Sequence, residues 1–319
     1  MYKEPIFLEP EFKERIWGGT KLKEIFNYDI PSDETGECWG ISGHANGPNR
    51  IKNGPLAGKT LAEAWEQHRE LFSNEEGDEF PLLVKILDSK QDLSVQVHPD
   101  DQYARDVENE TYGKTECWYV IDSEEGSEII LGHHANDKEE LTSMVENGQW
   151  DKLLRRIPVK PGDFFYVPSG TIHAIGAGIQ ILETQQSSDI TYRVYDYDRV
   201  GQDGQKRELH LDRSLDVTTV PHEDPSLERE SAAIDGLRYE KLVEEEYFTA
   251  FHWALDGRSK EMTLKRYRLM SVLDGRGRIT IDNVDYSFKK GDHFIIPSTV
   301  DSYSVTGKAT IITSHSNKV

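Results

Sequence analysis

The chain has 319 residues, 36% of them apolar and 10% aromatic, and its 37 Lys and Arg against 58 Asp and Glu give a net charge of −21. That content can build a sizeable core, while the acidity argues against non-specific binding to nucleic acid or to an anionic membrane. Cys38 and Cys117 alone cannot form a disulfide framework, apolar runs such as Pro81-Leu82-Leu83-Val84 are too short to span a bilayer, and Met1-Tyr2-Lys3-Glu4-Pro5 lacks a signal-peptide pattern, so a cytoplasmic location is expected. An anionic small substrate would need a few locally placed cations.

In chain order, Gly18-Gly19 marks a turn, and Thr20 is positioned to cap a short helix running to Phe26. Residues 36–42 read as a strand. Thr60 and Glu63 form a capping-box pattern ahead of the helical spacing of Leu61, Ala64, Trp65 and Leu71. From residue 80 the texture changes to short strands, at 80–87, 93–101, 116–122, 128–131, 164–167, 178–183 and 190–197. One helical interval, 138–157, interrupts them, with Leu141, Met144, Val145, Trp150, Leu153 and Leu154 on its apolar side. Residues 222–235 read as a linker. Further short strands follow at 248–255, 269–273, 278–281, 292–296 and 309–313. The chain is therefore expected to be mainly β with a few short helices, in two blocks divided as 1–235 and 236–319.

Within 93–101, alternation sets Ser94, Gln96 and His98 on one face and Leu93, Val95 and Val97 on the other. In an ordinary half-buried strand the polar set would face water; turned into a cavity, the Gln and His could hold a metal. The two blocks also share a signature. Pro161-Gly162-Asp163-Phe164-Phe165-Tyr166-Val167-Pro168-Ser169 matches Lys290-Gly291-Asp292-His293-Phe294-Ile295-Ile296-Pro297-Ser298, a register that sets His173 opposite Ser302. A Gly-Asp turn leading into a strand that stops at Pro suits an antiparallel barrel or sandwich.

This pattern resembles the cupin superfamily, whose two usual motifs correspond to 93–116 and 161–173. The resemblance implies a double cupin, two jelly-roll β-barrel domains, in which the first block holds a metal and the second keeps only the scaffold. Candidate ligands are Gln96, His98, Glu116 and His173; antiparallel strands can bring them into one barrel mouth, where a borderline cation accepts imidazole nitrogen and carboxylate oxygen. The surrounding residues carry a narrower resemblance. Gln96-Val97-His98-Pro99, Lys114-Thr115-Glu116 and Pro168-Ser169-Gly170-Thr171-Ile172-His173-Ala174 are similar to the signature of type I mannose-6-phosphate isomerases. So are Trp17-Gly18-Gly19, Gly36-Glu37-Cys38-Trp39, Phe80 to Lys85, and Glu183 through Ser187-Ser188-Asp189 to Arg193. The resemblance covers nearly the whole chain and fits the short bacterial form: longer members insert a helical domain between the Glu and second His ligands, where this chain has room only for the 138–157 helix.

That family implies one Zn²⁺ per chain on Gln96, His98, Glu116 and His173, and interconversion of mannose 6-phosphate and fructose 6-phosphate. Moving a carbonyl from C1 to C2 requires a proton to leave C2 and return to C1 through a cis-enediol, whose developing charge a metal would stabilise. Arg193 is implied as the active-site Arg, polarising sugar oxygens or holding phosphate; its ordinary alternative is an ion pair with Asp189 or Asp196. Lys114 alternates onto the face of Glu116 and is a candidate for phosphate binding or proton transfer, or else a solvated Lys. Glu183 is a candidate general base, or a group that orients another, or a surface carboxylate. Tyr192, Tyr195 and Tyr197 are expected to pack in the wall. Two other readings stand beside this one: a metal-dependent cupin oxidase or oxygenase, which usually presents His-x-His where this chain has Gln96-Val97-His98, and a non-enzymatic sugar-binding cupin. The implied partner is a hexose 6-phosphate, with neither nucleic acid nor membrane, and the oligomeric state is left open.

Overall fold

The computed structural model describes residues 2–200 and 204–318. The chain is mainly β with a few short helices, a double cupin organised as three antiparallel sheets. In the first block a six-stranded sheet contains Thr35–Ser42, Leu82–Ser89, Glu116–Ser123 and Ile179–Gln186, and a five-stranded sheet contains Val95–Val97, Glu128–His133, His173–Ile175 and Tyr192–Tyr195. The two face each other. Val120 and Ile181 of one meet Ile129, Leu131 and Ile175 of the other in a core that also holds Trp118 and Trp17.

Both sheets are covered behind, so the strands bury both faces. Behind the six-stranded sheet, Cys38, Ile86, Cys117 and Leu182 pack against Leu242, Phe248, Tyr267 and Leu269 of the second block. The alternate residues Glu37, Lys85, Glu116 and Glu183 must then point inward, and all four are buried. Behind the five-stranded sheet, Val95, Val97, Tyr192 and Val194 pack with Leu141, Val145 and Leu153 of the helices Lys138–Glu146 and Trp150–Leu153. This covering decides the orientation of the 93–101 stretch: Val95 and Val97 lie under the helices, so Ser94 and Gln96 line the cavity between the sheets, where Leu93, expected on the valine face, also lies. Tyr192, Tyr195 and Tyr197 join the same packing, with Tyr195 stacked 4.6 Å from Trp150.

The internal repeat is structural. Phe164–Val167 and His293–Ile296 are both strands, preceded by turns in which Gly162 (φ 91°) and Gly291 (φ 84°) adopt the left-handed region. In each turn the aspartate carboxylate accepts a backbone N–H: Asp163 from Lys160 at 3.0 Å, Asp292 from Lys289 at 2.8 Å. The second block carries a ten-stranded sheet, which also recruits Ile6–Glu9, paired with His293–Ile296, and Arg50–Ile51.

Several local expectations change. The 138–157 helix ends early: Gly148 (φ 62°) breaks it, and Leu154–Pro158 becomes a strand paired to Glu128–His133. Part of the 222–235 linker is a strand, Glu230–Ile234, on the sheet edge. Thr60 closes the expected capping box with Glu63, whereas the Thr20 hydroxyl donates to the Glu24 side chain at 2.6 Å instead of capping its helix.

Candidate active site

Strand register assembles two facing rows of polar side chains. Across the six-stranded sheet, Trp39 pairs with Lys85, Lys85 with Glu183, and Glu183 with Trp118. Across the five-stranded sheet, His173 pairs with Gln96 and Gln96 with Arg193. Glu116 lies two residues before Trp118 and so on the same face, and His98 follows the end of Val95–Val97 at Pro99.

Between the rows, one ligand atom each from His98, Glu116 and His173 lies within 4.8 Å of the others, and all three residues are buried. His98 Nε2 is 3.6 Å from Glu116 Oε2, and His173 Nε2 is 3.5 Å from Glu116 Oε1. Each imidazole is oriented from behind: Nδ1–H of His98 donates to the Ile190 carbonyl and that of His173 to the Thr171 carbonyl, both at 2.8 Å. A carbonyl only accepts, so each ring carries a proton on Nδ1, and in the neutral form the Nε2 lone pair is aimed at the gap. Burial, with Lys114 nearby, holds the His98 imidazolium well below its usual range, and burial also lowers that of His173. His98 Nε2 and Glu116 Oε2 are buried without a hydrogen-bond partner. Lys114 Nζ lies 3.0 Å from Glu116 Oε2 as an ion pair, off the hydrogen-bonding direction. Unpartnered buried polar atoms are costly, and two imidazole nitrogens converging on a carboxylate are the donors a borderline divalent cation takes. The residues fit such an ion.

Gln96 reaches the same point by its amide, with Nε2 3.3 Å from His173 Nε2. An amide nitrogen cannot ligate, but a half turn of the amide puts Oε1 there as a fourth donor.

The surrounding charges are interlocked. Trp118 Nε1–H donates to both Glu116 (2.9 Å) and Glu183 (3.1 Å), bridging the ligand carboxylate to the candidate base. Burial would raise the Glu116 carboxyl, but Lys114 and His173 outweigh it and hold the group below the usual carboxylate range. Glu183 is pushed up to about 7 by burial and by the Glu116 charge, against Lys114 and Lys85 at 4.0 and 3.8 Å. Burial also acts against the Lys114 ammonium, yet Glu116 and Glu183 raise its pKa above the ordinary lysine value. None of these groups is solvated, so the surface readings of Lys114 and Glu183 do not apply.

Arg193 makes neither ion pair considered for it. Asp196 is occupied by Arg199 and Arg207, and Asp189 accepts from Asn46. Arg193 donates to the Glu208 carbonyl at 2.7 Å, and among the described residues its buried Nε has no hydrogen-bond partner. It lines a cavity of about 370 Å³ with Gln96, Lys85, Lys114 and Glu183. A wider groove, about 1330 Å³, crosses the second block but gathers none of these residues.

Sequence reasoning gave no role to Lys85, Glu37 or Arg207, which also line the cavity. Lys85 had a signal: a lysine inside an otherwise apolar strand needs a buried partner if both faces of that strand are covered. Glu37 had a weaker one, beside Trp39, whose Nε1–H donates to it at 2.6 Å. Arg207 lies outside regular structure and had none.

Two family models match the chain: Phosphomannose isomerase type I, catalytic domain, over residues 6–144, and Mannose-6-phosphate isomerase, cupin domain, over 238–316. A mannose-6-phosphate isomerase of Bacillus subtilis is 53% identical, covering 99% of this chain and 100% of its own length. One from Streptococcus mutans is 52% identical, covering 99% of both. The crystal structure of the mannose 6-phosphate isomerase from Bacillus subtilis superposes with a TM-score of 0.96 at 50% identity, over 98% of this chain and 100% of that one. A phosphomannose isomerase from Salmonella typhimurium, 14% identical with a TM-score of 0.81, covers 99% of this chain and 100% of its own and shares the fold.

Proposed function

The chain belongs to the type I phosphomannose isomerase family and is an enzyme of that family; from that premise we propose that it interconverts mannose 6-phosphate and fructose 6-phosphate through a cis-enediol with one Zn²⁺ per chain. The observation that carries the metal-dependent reading is the convergence of His98 Nε2, His173 Nε2 and the Glu116 carboxylate, with His98 Nε2 otherwise unpartnered among the described residues. Gln96 is the proposed fourth ligand. When bound, the ion would supply Lewis-acid stabilisation of the charge that develops on the substrate oxygens.

The remaining work falls to the side chains around it. Glu183, held near neutrality, is the proposed base that takes the C2 proton and returns it to C1. Trp118 keeps that carboxylate fixed by donating to it, so the base needs no reorganisation as the proton moves. Lys114 is assigned to the sugar oxygens, where its ammonium donates hydrogen bonds, and Arg193 supplies planar donors against the same oxygens. Buried walls exclude water and strengthen each of these interactions. The chemistry is assigned to residues 1–235, with 236–319 a cupin-like unit that holds no metal. Among the described residues no helix is long and apolar enough to cross a membrane; we assign the enzyme to the cytoplasm.

Isomerisation in D₂O tests the proton-transfer reading. Deuterium is expected at C1 of fructose 6-phosphate in part, to the extent that the Glu183 carboxyl exchanges its proton with solvent before returning it. Product free of solvent deuterium, together with activity indifferent to Glu183→Gln, would point to a hydride shift instead.

A further inference from the structure

The isomerase reading leaves open what holds the phosphate. Charge accounting in the cavity narrows the choice. On its inner side Glu116 and Glu183 are matched by Lys114 and Lys85, and Glu37 binds Arg15 through two donors at 2.9 and 3.3 Å. Asp189 is exposed, where water screens it. The outer side differs. Three guanidiniums, Arg193, Arg199 and Arg207, are gathered around one carboxylate, Asp196. Arg207 grips it by Nε at 2.7 Å and Nη2 at 2.6 Å, and Arg199 binds the same group while also donating to the Asp92 carbonyl. Arg193 donates to a neutral carbonyl, and the further carboxylate that acts on it, Glu208, is exposed to water. The cluster therefore sets three guanidiniums against one buried carboxylate, in a protein whose net charge is −21.

Of the three, Arg193 and Arg207 line the cavity. The Arg207 side chain is 27% exposed, against 4–7% for Glu183, Lys85 and Lys114, so it stands nearer the mouth than they do; of the proposed ligands Gln96 lines the cavity, and His98, Glu116 and His173 are buried. A sugar phosphate whose C1 and C2 reach those ligands carries its phosphate, at the far end of the chain, toward that mouth. We propose that Arg207 binds the substrate's phosphate dianion, and that Asp196 is its positioning residue, holding the guanidinium plane through Nε and Nη2. Among the described residues Nη1 of Arg207 has no hydrogen-bond partner, which leaves that edge for a phosphate oxygen. The two guanidiniums in excess of that buried carboxylate match a dianion, and Arg199 holds the carboxylate from the other side, so that Asp196 orients Arg207 without cancelling the cluster's charge.

The inference rests on the isomerase reading, and Arg207→Gln tests it separately. The variant is expected to raise KM for mannose 6-phosphate by roughly tenfold to a hundredfold, the size of a lost charge-assisted contact, with a smaller change in kcat. Competitive inhibition by inorganic phosphate should weaken by a similar factor. Arg207→Lys should recover part of the loss, and Asp196→Asn should move KM in the same direction with less effect. Unchanged KM and phosphate inhibition in a folded Arg207→Gln variant would overturn the proposal, as would a fall in kcat at constant KM. If the wild type turned over no hexose phosphate, the isomerase reading would fail. Titration calorimetry with inorganic phosphate would still decide Arg207: binding weakened in Arg207→Gln supports its role, and equal binding refutes it.

Discussion

His293 supplies a stability prediction whose size follows from its surroundings. The ring is fully buried in the second block, where the first repeat carries Phe164. A Cβ at Gly40 would lie 2.4 Å from it, so the backbone of the first block is pressed against the imidazole. The Tyr28 hydroxyl donates to the Gly291 carbonyl at 2.8 Å, so its oxygen accepts from His293 Nε2–H at 3.0 Å. The Ser271 hydroxyl then donates to Nδ1 at 2.9 Å. The neutral ring is thus fully satisfied, and a proton on Nδ1 would displace that donor. Burial, with Lys52 as a lesser cause, pushes the imidazole pKa down to about 3. The unfolded value is about 6.5. Because the folded state binds the proton less well, the stabilisation is complete above about pH 6.5 and is lost as pH falls toward 3. At about 1.4 kcal/mol per pH unit, stability should fall by about 2 kcal/mol between pH 6.5 and 4.5 from this group alone. Denaturant unfolding of wild type and His293→Gln across that range isolates it, since His315, pushed down to about 4 by burial, contributes equally to both. The wild-type curve should fall more steeply by that amount; parallel curves would refute the reasoning.

Glu183→Gln should lower kcat by about 10²–10⁴-fold with far less effect on KM, checked by steady-state kinetics. In the wild type, kcat/KM should rise with pH as Glu183 loses its proton, along a limb at or below about pH 7, because a bound cation favours the carboxylate; the variant should lack that limb. Trp118→Phe removes the donor shared by Glu116 and Glu183 and should lower both metal affinity and kcat, read by metal titration beside kinetics. Gly162→Ala meets open space and should cost only backbone strain, about 1–2 kcal/mol, whereas a Cβ at Gly291 meets the Tyr28 ring at 3.0 Å and should cost more in thermal unfolding.

What the sequence made legible was local chemistry. The strand at 164–167, the Gly-Asp turns and the Thr60 capping box depend on neighbouring residues and appear as read. The misread elements depended on partners elsewhere. Leu154–Pro158 has helical spacing but is taken by the edge of Glu128–His133. Ser231-Ala232-Ala233 carries no apolar signal because that edge strand is exposed. The candidate ligands were recognisable as residue types in a resembling pattern, yet their assembly rests on register: the Trp39–Lys85–Glu183–Trp118 row exists only because three strand pairs align. Likewise the inward turn of Gln96 follows from helices more than 40 positions away in sequence covering Val95 and Val97.

The account stands most directly on the dependence of isomerase activity on metal held by His98, Glu116 and His173. Wild type and His98→Ala should be purified side by side, analysed for metal, and assayed for conversion of mannose 6-phosphate before and after chelation and zinc restoration. The account predicts about one zinc per wild-type chain, activity lost on chelation and restored by zinc, and neither metal nor activity in His98→Ala. Full turnover by metal-free protein, or by His98→Ala, would contradict it.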